Sequence, residues 1–74
     1  MNNIRDQKLI NRFGEHVRAI RKKKGFTMTE LSYKAGVEYR QISNIETGKV
    51  NCTISTLNAL AKALDIPLKE LMDF

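Results

Sequence analysis

Residues Thr27 to Gly48, TMTELSYKAGVEYRQISNIETG, constrain the fold more than any other stretch. Thr27 and Glu30 have capping-box spacing, in which hydroxyl and carboxylate each satisfy a backbone donor at a helix start. Leu31 and Ala35 follow at i and i+4 and give that helix one apolar stripe. Gly36 stands where a helix end favours the left-handed conformation. Val37, Ile42 and Ile45 restart an apolar pattern, and Gly48 closes it. The stretch predicts two short helices, over about residues 28–35 and 38–46, joined by a tight turn. Between the apolar positions of the second lie Glu38, Tyr39, Arg40, Gln41, Ser43 and Asn44. So many hydrogen-bonding side chains on one side suit contact with something polar. Helix, glycine-containing turn, helix is an arrangement whose second helix can lie in the major groove of DNA.

The flanking sequence predicts three more helices. Leu9 or Ile10, Phe13, Val17 and Ile20 recur at helical spacing, so a first helix runs from about residue 6 to residue 24. Gly14 lies inside it, at about 1 kcal/mol relative to Ala; close packing and a plain surface position both fit. The basic run Arg21-Lys22-Lys23-Lys24 complements the helix dipole, and Gly25 stops the helix. Beyond the polar loop 47–52, Thr53 caps a fourth helix over 54–64, with Ile54, Leu57, Leu60, Ala61 and Leu64 on one face. Asp65-Ile66 forms a turn, and Pro67 fits the first turn of a last helix carrying Leu68, Leu71, Met72 and Phe74. The expected fold is an all-α five-helix bundle with a helix-turn-helix at helices 2 and 3. Residues 1–5 form a flexible arm and residues 6–74 one domain.

At 74 residues the chain holds one small domain with a modest core, for which a partner would add stability. Its net charge of +5 is unevenly placed. Residues 1–49 carry eleven Lys/Arg against five Asp/Glu, whereas residues 50–74 carry two against three. A basic half that coincides with the polar-faced helix is the footprint of a nucleic-acid binder. The single Cys52 excludes an internal disulfide and suits a reducing cytoplasm. No apolar run approaches the roughly 18 residues of a membrane span, and the start, MNNIRD, lacks the apolar core of a secretory signal.

The pattern Phe-Thr-x-x-Glu-Leu-Ser-x-Lys-Ala-Gly-Val, then Gln-Ile-Ser-Asn-Ile-Glu-x-Gly-Lys, resembles the Cro/repressor-type (XRE-like) helix-turn-helix domain of phage repressors and bacterial regulators. The resemblance covers roughly Phe13 to Phe74, and its most specific part is Ala35-Gly36-Val37 followed by Ile42-Ser43-x-Ile45-Glu46-x-Gly48. It implies a lambda-repressor-like bundle. Met28 stands where that family usually carries a phosphate-reaching Gln, and Glu38 where it usually carries Ser.

With Val37, Ile42 and Ile45 facing the core, residues 39, 40, 43 and 44 share the outer face of helix 3. Arg40 has the planar fork that pairs with guanine O6 and N7, and Asn44 can pair with adenine N6 and N7. Tyr39 suits a thymine methyl or a phosphate, and Ser43 is short and adaptable. Glu38 can accept from cytosine N4 or serve the helix start. The resemblance implies that Tyr39, Arg40 and Asn44 are base readers. Phosphate contacts are expected from Thr27 at a helix N-terminus, from Gln41 between the two faces, and from Lys22 in the basic run. The resemblance adds Thr47 and Lys49 just beyond helix 3. It also implies a partly buried structural ion pair between Arg21 and Glu46. A homodimer interface is expected at Leu68, Leu71, Met72 and Phe74, as in small family members, although these residues can equally complete the monomer core.

His16 has no second His or Cys at ligand spacing, so no metal or cofactor is expected. Cys52 lacks a resolving partner, and no nucleophilic triad, phosphate-cradling glycine loop or acid pair is present, so no enzymatic activity is expected. The sequence predicts a DNA-binding transcriptional regulator, most simply a repressor occupying double-stranded operator half-sites as a homodimer. The alternatives in the same fold are an antitoxin-type protein-interaction module and a restriction–modification controller. A protein adaptor or RNA binder is a third class, but no stacked aromatic platform marks the helix for single-stranded RNA.

Overall fold

The computed structural model describes residues 4–74. Within them the chain forms α1 (Gln7–Lys23), α2 (Met28–Ala35), α3 (Tyr39–Glu46), α4 (Ile54–Ala63) and α5 (Leu68–Leu71), with no strand. The arm expected over residues 1–5 falls partly outside the described residues; Ile4 and Arg5 lead directly into α1.

Local chemistry sets most boundaries. Asp6 caps α1 by accepting the Leu9 N–H at 3.1 Å. The helix ends with the Lys24 N–H on the Ile20 carbonyl, and Gly25 then turns at φ +79°. At α2 both halves of the capping box form: Thr27 Oγ1 accepts the Glu30 N–H at 3.1 Å, and Glu30 Oε1 accepts the Thr27 N–H at 2.9 Å. Gly36, at φ +67°, ends it. The Ser32 carbonyl then accepts both the Gly36 and Val37 N–H groups. The Ser32 hydroxyl donates to the Val37 carbonyl at 2.6 Å, so one side chain fixes the turn between α2 and α3. Glu38 precedes α3 without making a side-chain cap. Thr53 caps α4 by accepting the Thr56 N–H at 3.2 Å. Pro67 corrects the expectation for α5. It occupies the N-cap with extended backbone, and the helix begins at Leu68.

The core is one cluster of Phe13, Val17, Leu31, Ile42, Ile45, Leu60, Ala61, Leu64 and Leu71. In α1 the inward residue is Ile10 at 7% exposure, while Leu9 is 47% exposed. Gly14 marks where α1 crosses α3. A Cβ there would collide with the Ile45 carbonyl and stand 2.9 Å from that of Glu46, so close packing holds at this position. Overpacking such a site distorts the backbone rather than a side chain.

Of the residues expected at a dimer surface, Leu71 requires a second correction. Leu71 is fully buried in the chain's own core. Phe74 rests on Phe13 and His16, with ring centroids 5.7 and 5.6 Å apart, and the Arg12 guanidinium lies over it. Leu68 is half-buried against the same cluster, which leaves Met72, at 46% exposure, as the outward member. A four-residue helix has one inward position, and the bundle uses it to close the core.

Candidate nucleic-acid interface

Ile42 and Ile45 anchor α3 at 0% and 1% exposure, which turns the opposite edge of the helix to solvent. On that edge Tyr39, Arg40, Ser43 and Asn44, with Lys49 from the following loop, line one open concavity. Tyr39 is half exposed, Arg40 and Lys49 are exposed, and Ser43 and Asn44 are half-buried. Ser43 also lines an adjoining depression with Arg18, Arg21, Met28, Glu46 and Thr47. The two form a continuous polar strip along α3. Glu38, Gln41, Thr27 and Lys22 are exposed but line neither depression.

The strip is cationic because its acid is neutralised. Glu46 is the one carboxylate lining either depression. Arg21 Nε donates to Glu46 Oε2 at 2.7 Å and Nη2 to Oε1 at 2.9 Å, a bidentate pair. Arg21 Nη1 donates in addition to the Phe26 carbonyl at 2.9 Å. The guanidinium therefore ties the end of α1, the turn before α2 and the end of α3 together. Its hydrogen bonds to Glu46 raise the Arg21 pKa above the ordinary arginine value, against the opposing effect of burial. Arg40 and Lys49 face no carboxylate within their concavity.

Two residues expected at phosphates also make hydrogen bonds within the fold. The Thr27 N–H is held by the Glu30 carboxylate, whose pKa is lowered below the usual range by hydrogen bonds from the Thr27 backbone and side chain. That negative charge at the start of α2 opposes an incoming phosphate. The Thr47 hydroxyl donates back to the Ser43 carbonyl at 2.8 Å, so it terminates α3 instead of projecting a free donor. Arg18 is a residue the sequence reading missed. It sits three before Arg21, and i,i+3 spacing places both on one side of α1, beside Met28 and Thr47. Met28 therefore has cations next to it.

The weaker candidates stay outside this strip. His16 Nε2 lies 3.0 Å from the Glu70 carbonyl and helps hold α5 to α1. Burial pushes the Cys52 thiol up, which reduces its thiolate character. Among the described residues no three His, Cys, Asp or Glu side chains cluster as metal ligands, and no helix is long and apolar enough to cross a membrane.

A family model described as helix-turn-helix matches residues 17–71. The HTH-type transcriptional repressor RghR of Bacillus subtilis is 41% identical over 61 residues, which are 81% of this chain and 45% of that protein. Control protein C.BamHI of Bacillus amyloliquefaciens is 33% identical over 63 residues, covering 84% of this chain and 78% of its own length. Among solved structures, the restriction–modification controller C.AhdI of Aeromonas hydrophila superposes with a TM-score of 0.81 at 31% identity, over 86% of this chain and 96% of that one. The wild-type controller C.Esp1396I matches with a TM-score of 0.81 at 28% identity, over 90% of this chain and 91% of that one. The chain spans about half the length of the Bacillus subtilis regulators RghR and SinR, 45% and 55% respectively. The matched span holds α2, the Ser32-fixed turn and α3 in the geometry described above, and the chain belongs to the XRE-type helix-turn-helix family.

Proposed function

We propose that the chain is a sequence-specific, duplex-DNA-binding transcriptional regulator that reads bases with the outer edge of α3. One observation carries this reading: Tyr39, Arg40, Ser43, Asn44 and Lys49 share an open cationic concavity on the side of α3 opposite its buried isoleucines. Arg40 supplies a bidentate donor for guanine and Asn44 a donor–acceptor pair for adenine. Lys49 lies at the same edge and neutralises phosphate, which sets register without carrying sequence information. Regulation by occupying an operator in the cytoplasm follows from this activity, and the names of the relatives support it.

A single α3 spans few base pairs, so the reading includes a homodimer that places two such helices on half-sites about 34 Å apart. The surface that supports it is the apolar groove lined by Leu9, Phe13, Val50, Leu57, Met72 and Phe74, with Leu71 withdrawn into the core behind it. A restriction–modification controller is the specific role that the superposition on C.AhdI and the identity to C.BamHI favour.

Selection of bound duplexes from a random pool tests the reading. A palindromic consensus is expected, and Arg40→Ala and Asn44→Ala should each relax it at one position per half-site. Recovery of an unchanged consensus with both variants would overturn the assignment of α3.

A further inference from the structure

The start of α1 is fastened to the loop that follows α3. Gln7 Nε2 donates to the Gly48 carbonyl at 2.8 Å and to Asn11 Oδ1 at 2.8 Å. Arg5 Nε donates to Gln7 Oε1 at 3.1 Å, and Arg5 Nη2 reaches the Lys49 carbonyl at 3.4 Å. Gly48, at φ +74°, lies so close to α1 that a Cβ would collide with the Asn11 side-chain oxygen. Arg5, Gln7, Asn11 and Lys49 are all exposed and none belongs to the core cluster, while the Gln7–Gly48 hydrogen bond is part-buried. The loop they hold carries Lys49, which lines the concavity of Tyr39, Arg40, Ser43 and Asn44.

The Arg5 guanidinium thus sits against the main chain of Lys49, whose side chain lines the reading face. The nearby acid, Asp6, is engaged as the cap of α1. Gln7 and the Lys49 carbonyl engage one edge of the Arg5 guanidinium, and its remaining N–H donors suit a phosphate, which a planar fork binds in bidentate fashion.

We propose that Arg5 and Lys49 together grip the phosphate backbone beside the bases read by α3, and that Gln7 is the positioning residue that holds the two in register. The proposal rests on the duplex-reading assignment of α3. It extends the interface to a segment 44 residues away in sequence from Lys49.

Salt dependence of binding separates this from a merely structural clasp. The probe is a duplex carrying the consensus recovered by selection, titrated by fluorescence anisotropy over a series of salt concentrations. Each phosphate contact contributes about 0.9 to the slope of log K against log salt. Arg5→Ala should lower the slope by about that amount, and Arg5→Lys, which keeps the charge, should retain it. Gln7→Ala removes no charge, yet it should also lower the slope, because an unheld loop loses a contact. Lys62→Ala on α4 removes a charge outside the strip and should leave the slope unchanged. Far-ultraviolet circular dichroism verifies that each variant folds. A wild-type slope retained in both Arg5→Ala and Gln7→Ala would overturn this proposal and leave the α3 assignment standing, as would an equal loss in Lys62→Ala. Absence of salt-dependent duplex binding by the wild-type chain would overturn both.

Discussion

The bundle contains two helix pairs, α2–α3 and α4–α5, that start alike and finish differently. Each opens on a threonine cap, Thr27 or Thr53, and each turns through a left-handed residue, Gly36 at φ +67° or Asp65 at φ +57°. The second member of the first pair is eight residues long; that of the second pair is four. Eight residues give two turns, enough for a buried row of Ile42, Ile45 and Glu46 and a separate outward row of Tyr39, Arg40, Ser43 and Asn44. Four residues give one turn, and Leu71 alone takes the inward position. A helix needs length beyond what its own core contact consumes before it can present a patterned face. Charge follows the same division, since the basic excess lies in residues 1–49 and the α4–α5 half is close to neutral.

The contrast is most sharply broken at the ion pair. Glu46→Ala strands the Arg21 guanidinium and should lower unfolding free energy by about 3–5 kcal/mol, measured by urea titration. A loss below about 1 kcal/mol, the size of an exposed pair, would show that α3 is held by its isoleucines alone. Because the Arg21 pKa is raised, its contribution with ionised Glu46 is present below the ordinary arginine range and is lost as pH rises through the folded-state value.

Leu71→Ala probes the other pair. Removing a fully buried leucine should cost about 2–5 kcal/mol, and the loss should be independent of protein concentration. A concentration-dependent loss would mean that the residue is stabilised across a dimer interface instead.

Arg40→Ala should separate stability from recognition. We expect a change in unfolding free energy within about 0.5 kcal/mol, as for an ordinary exposed side chain. Specific binding should weaken by about 1–3 kcal/mol with relaxed preference at one base pair, read from competition titrations. Uniform weakening across all sequences would reassign Arg40 to the phosphates.

The smallest effect is expected at the α2 cap. Glu30 has a lowered pKa, so its contribution is present above the unfolded-state pKa and is lost as pH falls through the folded-state value. Glu30→Gln preserves a capping side chain without the charge. Stability against pH should therefore be flatter for the variant than for the wild type in the acidic carboxylate range. Parallel curves would show that Glu30 makes no pH-dependent contribution.

Much of this architecture was legible in the chain. The Thr27–Glu30 spacing, Gly36 and the Val37, Ile42, Ile45 pattern fix α2, the turn and α3, and they predict which edge of α3 faces outward. All of these signals act within four or five residues, where hydrogen-bond geometry and side-chain periodicity leave few options. Tertiary structure alone decided the rest. One turn of helix has no measurable period, so the sequence could not say whether Leu71 faces the core or a partner. Gly14 fits close packing and a plain surface position equally until α3 is laid across it. The hydrogen bonds from Arg5 and Gln7 to the 48–49 loop join groups more than 40 residues apart. Such contacts leave no local trace, because they exist only once packing has brought the start of α1 beside the end of α3.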